Sequence, residues 1–596
     1  MNARSKPWRA TITVVAMLAA VSLAHAGEAT AGKKGNPLKI VILAGQSNMQ
    51  EPASWHTLKG LADSPETKPL YDKLVDENGK VRIHKDVRFV KEITGRDEDG
   101  NPVSTITSST FPSGFGGKVL GTELNPKPKK GEKVKRIPTN FGPELGFGFT
   151  LYETLQEPIL IIKTAWGGKD LHTQFRTPTG EEWTPPKGHP DHPESAPPAL
   201  PIPTRIELPG DFKPPEGRGK HLQIARGFPI SEMNGVHPIY VSQVYDKTRK
   251  GEIASNPLQQ GDLILGLNGA GLGKDPVRQW RTTWFNKVRK GDWMLKITLW
   301  RPSTEPLRQG SAQVGTGKGK IETVEFDTAR LLPEGRAGIP AYLAAEQAAK
   351  KKLLEEGGVY YGKMMQIIKS VLADPGKYHP AYDPKSGYEI VGFVWFQGYN
   401  DMIAGTIYPN GDKPRGFERY SWLLAHLIRN VRKELKTPKM PFVIGVFGQG
   451  GKVDKPVPFR EGMAAPASYD EFKGTVAAVR TAEFCDTRIE EIQGKLDRVL
   501  QYTGDDPNHP YAKLQEKIRA YKEKMGDPSK LEGKQRSRLE RQIKMGIVDV
   551  VRTPEETEYL KNNVSNQGYH YYGSPKFFVR AGAAFAKALG DLIKGN

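Results

Sequence analysis

Four short runs of unbroken apolar residues punctuate the chain: L-K-I-V-I-L-A (38–44), P-I-L-I-I-K-T-A (158–165), I-V-G-F-V-W-F (390–396) and P-F-V-I-G-V-F (441–447). Continuous apolarity of this length, bounded by glycines, is what a strand covered on both faces requires. Between the runs the apolar period lengthens to that of a helix. In G-P-E-L-G-F-G-F-T-L-Y-E-T-L-Q, residues Leu145, Phe149, Tyr152 and Leu155 fall on one helical face. The last segment predicts a helix with Ser574 as N-cap and Pro575 in the first turn, burying Phe578, Ala581, Phe585 and Ala588. Strands alternating with helices predict an α/β fold with a three-layer, flavodoxin-like parallel sheet.

The alternation breaks twice. Residues 176–226 are rich in proline and polar residues and read as an extended linker. A compact β-rich unit follows over 227–330. V-H-P-I-Y-V-S-Q-V and W-M-L-K-I-T-L-W read as strands, and G-D-L-I-L-G-L-N-G as a strand closing on an Asn-Gly turn. Between them a helix starts at Asp275 and Pro276 and stops at Gly291, with Val277, Trp280, Trp284 and Val288 as its stripe. The second break, 488–560, is charged. Its stripe of Leu514, Ile518, Tyr521 and Met525 predicts a helical hairpin over the core. The α/β domain therefore comes in two parts, 36–175 and 331–596, around the inserted unit.

The first 26 residues have the form of a signal peptide. Arg4, Lys6 and Arg9 precede the apolar run T-I-T-V-V-A-M-L-A-A-V-S-L, and A-H-A offers a small-residue cleavage site. That run is too short to span a bilayer comfortably, and no other stretch is long and apolar enough. An exported protein, periplasmic or secreted, is expected. The single cysteine, Cys485, excludes an internal disulfide and a cysteine-based zinc site, and reads as a small buried apolar residue. The net charge is +20, three of it in the leader. The lysines are dispersed and no nucleic-acid signature accompanies them, so a solvated surface is expected rather than a specific nucleic-acid partner. The prolines of H-P-D-H (189–192) belong to a linker without a third ligand, and no metal is assigned there.

Ligands of parallel sheets bind beyond the carboxyl ends of the strands. Ser47 in G-Q-S-N, Gly167 and Gly168 in A-W-G-G, and Gln397 in F-Q-G-Y-N-D all follow strands directly. Gly45 permits a tight turn that presents the Ser47 hydroxyl. The paired glycines offer bare N–H groups to an anion, and the Gln397 amide is a donor of the oxyanion-hole kind. His570, just before the last helix, has the chemistry of a general base. Each of these residues alone has a bland reading as a turn, a backbone partner or a surface residue; jointly, at strand ends, they point to a serine hydrolase.

These motifs resemble the SGNH hydrolases, in the sialate O-acetylesterase and acetylxylan-esterase-like branch, over about 38–175 and 360–590. The resemblance implies a serine esterase that removes acetyl groups from carbohydrate hydroxyls without a cofactor. Ser47 would be nucleophile and His570 base, with an oxyanion hole from the Ser47 N–H, Gly167 or Gly168, and Gln397. The family has an aspartate three residues before the histidine, where this chain has Gln567. Candidates to orient His570 are Asn566, Asp486, Asp401 and Asp170. The inserted unit resembles a PDZ domain through Q-Q-G-D-L-I-L-G-L-N-G (259–269). That implies a groove binding a peptide C-terminus or strand, with Gly227, Phe228 and Ile230 at the carboxylate loop. A rigid spacer or lid is the alternative role for this unit. An esterase for other small esters, or a catalytically weak scaffold binding glycan and peptide, are the alternatives for the whole.

Overall fold

A strand rich in Val, Ile, Leu and Phe on both sides is stable only between two layers. The structure meets that demand in a mixed α/β unit built on a parallel-rich sheet. The computed structural model describes, in one unit, residues 35–96, 102–112, 116–120, 140–180, 183–190, 192, 357–405, 407–502, 504, 506 and 508–595. In the other it describes 200–203, 223–224, 236, 238–241, 247–248, 251–252, 257–259, 261–273, 276, 279–280, 283, 292–303, 319–331, 335–345 and 348. Unit 1 comprises Met1–Glu194 and Glu356–Asn596, and unit 2 Ser195–Glu355.

The sheet of unit 1 has seven strands: β1 (Leu38–Gly45), β2 (His84–Arg96), β3 (Pro102–Phe111), β4 (Ile159–Ala165), β5 (Tyr388–Phe396), β6 (Phe442–Val446) and β7 (Val476–Arg480). Their order is β7-β6-β5-β1-β4-β2-β3. All neighbours are parallel except β3, which returns antiparallel along β2. The chain fills one side of β1 with β4 and β2, then crosses to β5 on the other side. The order reverses at β1, so the crevice of a doubly wound sheet opens beyond its end.

The helices of unit 1 include α1 (Glu144–Leu155), α2 (Val359–Ala373), α3 (Glu418–Glu434), α4 (Thr487–Gln501), α5 (Ala512–Met525), α6 (Gly533–Val551), α7 (Pro554–Asn563) and α8 (Pro575–Gly595). Successive residues of β5 show the layering. Phe396 packs on Phe577 and Phe585 of α8. Its neighbour Trp395 faces the other way, towards Phe175 and Tyr420 of α3. On the α8 side, α1 and α8 meet almost backbone to backbone. An added Cβ at Gly582 would overlap the Pro143 carbonyl, and one at Gly146 the Val579 carbonyl.

Three expectations need correction. The described residues of 176–226 are not a free linker. Thr177 and His189 are buried in unit 1, where Asn430 of α3 donates to Thr177 and Thr179 and the His189 ring meets the Arg415 carbonyl. Gln223–Ile224 and the Leu200 carbonyl, bonded by Gly271 N–H, belong to unit 2. The charged insertion is four helices rather than a hairpin, because its apolar positions form two small cores. Val499, Ile518, Ile547 and Val551 make one, and Ile489, Ile492, Tyr559 and Leu560 the other. Ser574 sits where a cap should, but its buried hydroxyl has no hydrogen-bond partner among the described residues. Cys485 is half-buried, and burial pushes its thiol up to about 12.

Unit 2 holds an antiparallel sheet ordered Gly319–Asp327, Met294–Pro302, Leu263–Leu267, Ile239–Tyr240 and Gln223–Ile224, with Ala270–Gly271 folding back on Leu263–Leu267. Asn268 and Gly269 both have positive φ, 51° and 84°, as a type I′ hairpin turn demands. Trp280 packs in its core with Leu295, Ile297 and Leu299. Gly227, Phe228 and Ile230 lie outside the described residues, as does the leader. Among the described residues no helix is long and apolar enough to cross a membrane.

The two helical glycines of contrasting surroundings give a test. Gly582→Ala is expected to lower stability by ~1–3 kcal/mol, because α1 and α8 must move apart. Gly362→Ala, in α2 with open space around it, is expected to raise it by about 0.5–1 kcal/mol. Thermal melts of both variants check this; equal shifts would contradict the packing described.

Candidate active site

The end of β1 is pinned from three directions. Gly45 lies against β5 so closely that a Cβ would overlap the Phe396 carbonyl. Gln46, buried, accepts at Oε1 from Gly398 N–H (3.0 Å) and Gln397 Nε2 (3.2 Å), and donates to Asn400 (3.3 Å). The chain then makes one tight turn, with Met49 and Gln50 N–H both donating to the Gln46 carbonyl. Below it Lys163 of β4 donates to the Gln50 carbonyl and pairs with Glu144 at 2.7 Å. Glu144 in turn accepts from Gly142 N–H at 2.8 Å. This ion pair is almost wholly buried. The sequence contained its signal, a lysine inside the apolar run I-L-I-I-K-T-A, which sequence reasoning passed over.

Ser47 is half-buried at the apex of this turn. The Gly167–Gly168 turn that follows β4 lies beside it: a Cβ at Gly167 would stand 3.7 Å from the Ser47 Cβ. Gly168 has φ +69°, which favours glycine. Among the described residues, the amides of Ser47, Gly167 and Gly168 donate to no other group. Two turns with unpaired backbone N–H groups thus lie side by side, Gly167 against the Ser47 side chain.

Gln397 is not available as a fourth donor, contrary to the sequence expectation. It is fully buried, and its Nε2 is spent on Asp401 (2.7 Å), the Lys169 carbonyl (3.0 Å) and Gln46 (3.2 Å). Asp401 is the anchor of this side. Its carboxylate accepts from the Leu171 and His172 amides (2.8 and 3.1 Å), His172 Nδ1 (2.9 Å), Gln397 and the Tyr408 hydroxyl (3.0 Å). Burial alone would lower the His172 pKa, but the hydrogen bond and charge of Asp401 raise it above the ordinary value.

His570 stands on an unusual turn. Tyr571 and Tyr572 have φ of 48° and 59°, left-handed values that cost about 1–3 kcal/mol each for such residues. Tyr571 is held there by stacking on Phe577 at 3.5 Å and by accepting the Gly448 N–H at 3.0 Å. The Tyr572 carbonyl receives the Ser565 and Asn566 amides. The turn is latched to the serine loop, since Asn48 Nδ2 donates to the Tyr569 carbonyl (3.3 Å) and Asn566 Nδ2 to the Pro52 carbonyl (2.9 Å). Among the described residues Ser47 makes no direct hydrogen bond to the His570 ring; the two are joined through these neighbours.

Of the four orienting candidates, Asn566 meets His570, with Oδ1 3.1 Å from Nδ1. The amide orientation is fixed independently. Nδ2 donates to a carbonyl and Oδ1 accepts the Gln567 N–H at 2.9 Å. Nδ1 of His570 therefore carries the proton, and Nε2 is left as the acceptor. The three aspartates are occupied elsewhere. Asp486 caps α4 and accepts from Tyr559, Asp170 accepts the Thr173 and Gln174 amides, and Asp401 holds His172. Burial lowers the His570 pKa from its ordinary value of 6.5. Among the described residues no three His, Cys, Asp or Glu gather as a metal site.

No family model matches the chain, and no curated protein matches it. Solved structures with some likeness include a protein from Arabidopsis thaliana, at 11% identity and TM-score 0.25, covering 75% of this chain and 86% of that one. Another is a carbohydrate acetylesterase from Xanthomonas citri, at 11% identity and TM-score 0.24, covering 74% of this chain and 49% of that one. This chain thus spans about half the length of the Xanthomonas protein. TM-scores this low do not establish a shared fold.

Lys163→Met leaves Glu144 buried without its cation. It should lower the apparent unfolding free energy of the α/β unit by about 3 kcal/mol. Adding Glu144→Leu should recover most of that loss. Urea unfolding followed by tryptophan fluorescence reads both, and a single-variant loss under ~1 kcal/mol would remove the pair from its anchoring role.

Proposed function

We propose that the chain is a serine esterase of the SGNH hydrolase kind, sialate O-acetylesterase or acetylxylan-esterase-like, removing O-acetyl groups from carbohydrates after export. The observation that carries this reading is the set of unpaired amides at Ser47, Gly167 and Gly168, in two turns that lie side by side at the Ser47 side chain. The Nδ1–H tautomer of His570 supports it, since it leaves Nε2 as a base. For unit 2, the 259–269 motif and the antiparallel sheet support a PDZ-like module for a peptide C-terminus or strand.

The steps follow from these groups. His570 Nε2 accepts the Ser47 Oγ proton as Oγ attacks the acetyl carbonyl carbon. The negative charge moves to the carbonyl oxygen, where the Ser47 and glycine amides receive it. The tetrahedral intermediate collapses, the C–O bond to the sugar breaks, and the imidazolium returns its proton to the departing sugar oxygen. Water, deprotonated by His570, then attacks the acetyl-Ser47 carbonyl. Acetate leaves and Oγ regains its proton.

Asn566 gives this site a particular electrostatic character. It orients the ring as an aspartate would but adds no negative charge to stabilise the imidazolium. That favours a slower enzyme with a base that stays neutral into acid.

Four outcomes test the reading. Ser47→Ala should abolish both fluorophosphonate labelling and hydrolysis of a simple acetyl ester; hydrolysis that survives the change would refute it. His570→Ala should lower kcat/KM by on the order of 10³-fold or more. In the wild type, kcat/KM should hold as pH falls through 6.5 and drop only below it, because a lowered His570 pKa keeps the ring neutral there. Asn566→Asp should move that acid limb upward, since a carboxylate beside Nδ1–H favours the imidazolium. An unmoved limb would mean that His570 is not the titrating base.

A further inference from the structure

The turn that carries His570 also displays Tyr569, a large side chain 45% exposed. Its ring centroid lies 4.5 Å from the His570 ring and 6.1 Å from that of Tyr399, with the two tyrosine planes tilted by 46°. Tyr399 is half-buried and comes from the other wall of the site. It follows Gly398, whose N–H binds Gln46, and precedes Asn400, which donates to the Gly168 carbonyl at 3.2 Å. The pair therefore joins the base side to the oxyanion side. Tyr569 is also fixed in place through its carbonyl, held by Asn48 next to Ser47. Neither phenol hydroxyl has a hydrogen-bond partner among the described residues.

A lone exposed aromatic ring is ordinary on a protein surface; here two tyrosine rings from opposite walls of one site meet beside the His570 ring. Tyrosine pairs an apolar face with a polar tip. A sugar ring has the complementary form, with a face of C–H groups and a rim of hydroxyls. An acyl chain would use the faces and leave both hydroxyls unmatched.

We propose that Tyr399 and Tyr569 form the subsite that seats the sugar ring bearing the acetyl group, stacking on its C–H face and hydrogen-bonding its free hydroxyls. This rests on the esterase reading above and names the part of the substrate that the tyrosines recognise. Seated there, the sugar is the leaving alcohol, beside the His570 ring that must protonate its oxygen.

Two measurements test it. The first compares kcat/KM for a glucose carrying a single acetyl group, its other hydroxyls free, with that for ethyl acetate, which has no ring to stack. In Tyr569→Ala and in Tyr399→Ala the ratio should fall about fivefold or more. An unchanged ratio overturns the subsite, including the case where both substrates lose activity together because His570 has been disturbed. The second is independent of turnover. Calorimetric titration of acetylated glucose into Ser47→Ala should show binding that weakens about fivefold or more when Tyr569→Ala is added. Binding indifferent to Tyr569, or no binding at all, overturns the proposal. If Ser47 takes no fluorophosphonate while the titration behaves as expected, the esterase reading fails and the sugar subsite stands.

Discussion

A fully buried carboxylate with five donors is the constraint on which the site depends. Asp401 binds the loop after β4 through two amides and an imidazole, and the loop after β5 through Gln397 and Tyr408. Gln397 and Gln46 extend the network to the turn of Ser47. An unpaired carboxylate in that position would cost several kcal/mol, so the loops have little freedom to separate. The rigidity that lets the glycine amides stand bare beside Ser47 comes from this satisfied charge. Lys163 and Glu144 act in the same way beneath the turn, closing it from the β4 side.

The histidine half of the site is built on a different principle. Two consecutive tyrosines in left-handed backbone are sustained by stacking on Phe577 and by carbonyl and hydroxyl contacts on either side. The turn cannot relax without breaking the packing at the head of α8. The preceding helix, α7, docks on residues 55–63 through Asn563, which donates to Asp63. The charged insertion thus ends by seating the segment that carries Asn566 and His570. A neutral amide fixes the tautomer there, and burial keeps the ring's pKa low.

Most of the sheet was legible in the chain. The four apolar runs are β1, β4, β5 and β6 to within two residues, because strands buried on both faces leave an unmistakable pattern. The hairpin of β2 and β3 was not, since H-K-D-V-R-F-V-K-E-I and P-V-S-T-I-T-S-S-T-F mix charge and hydroxyls at the sheet's edge. The burial of Thr177 and His189 was hidden for a related reason: proline-rich composition speaks of an extended backbone and is silent on what covers it.

By itself the sequence determined the α/β class, the strand ends at which Ser47, Gly167 and Gln397 emerge, and the hairpin at Asn268–Gly269. All of these follow from local composition and period. Only the tertiary structure decided which partners the polar residues took. Gln397 turned from a presumed donor into a buried link, Asp401 went to His172, and Asn566 rather than any aspartate reached His570. The Asp401–His172 and Gln397–Gln46 bonds join residues hundreds of positions apart and depend on where the chain crosses itself, while the Asn566–His570 contact, only four residues long, depends on a left-handed turn that packing on Phe577 sustains; no local pattern encodes either.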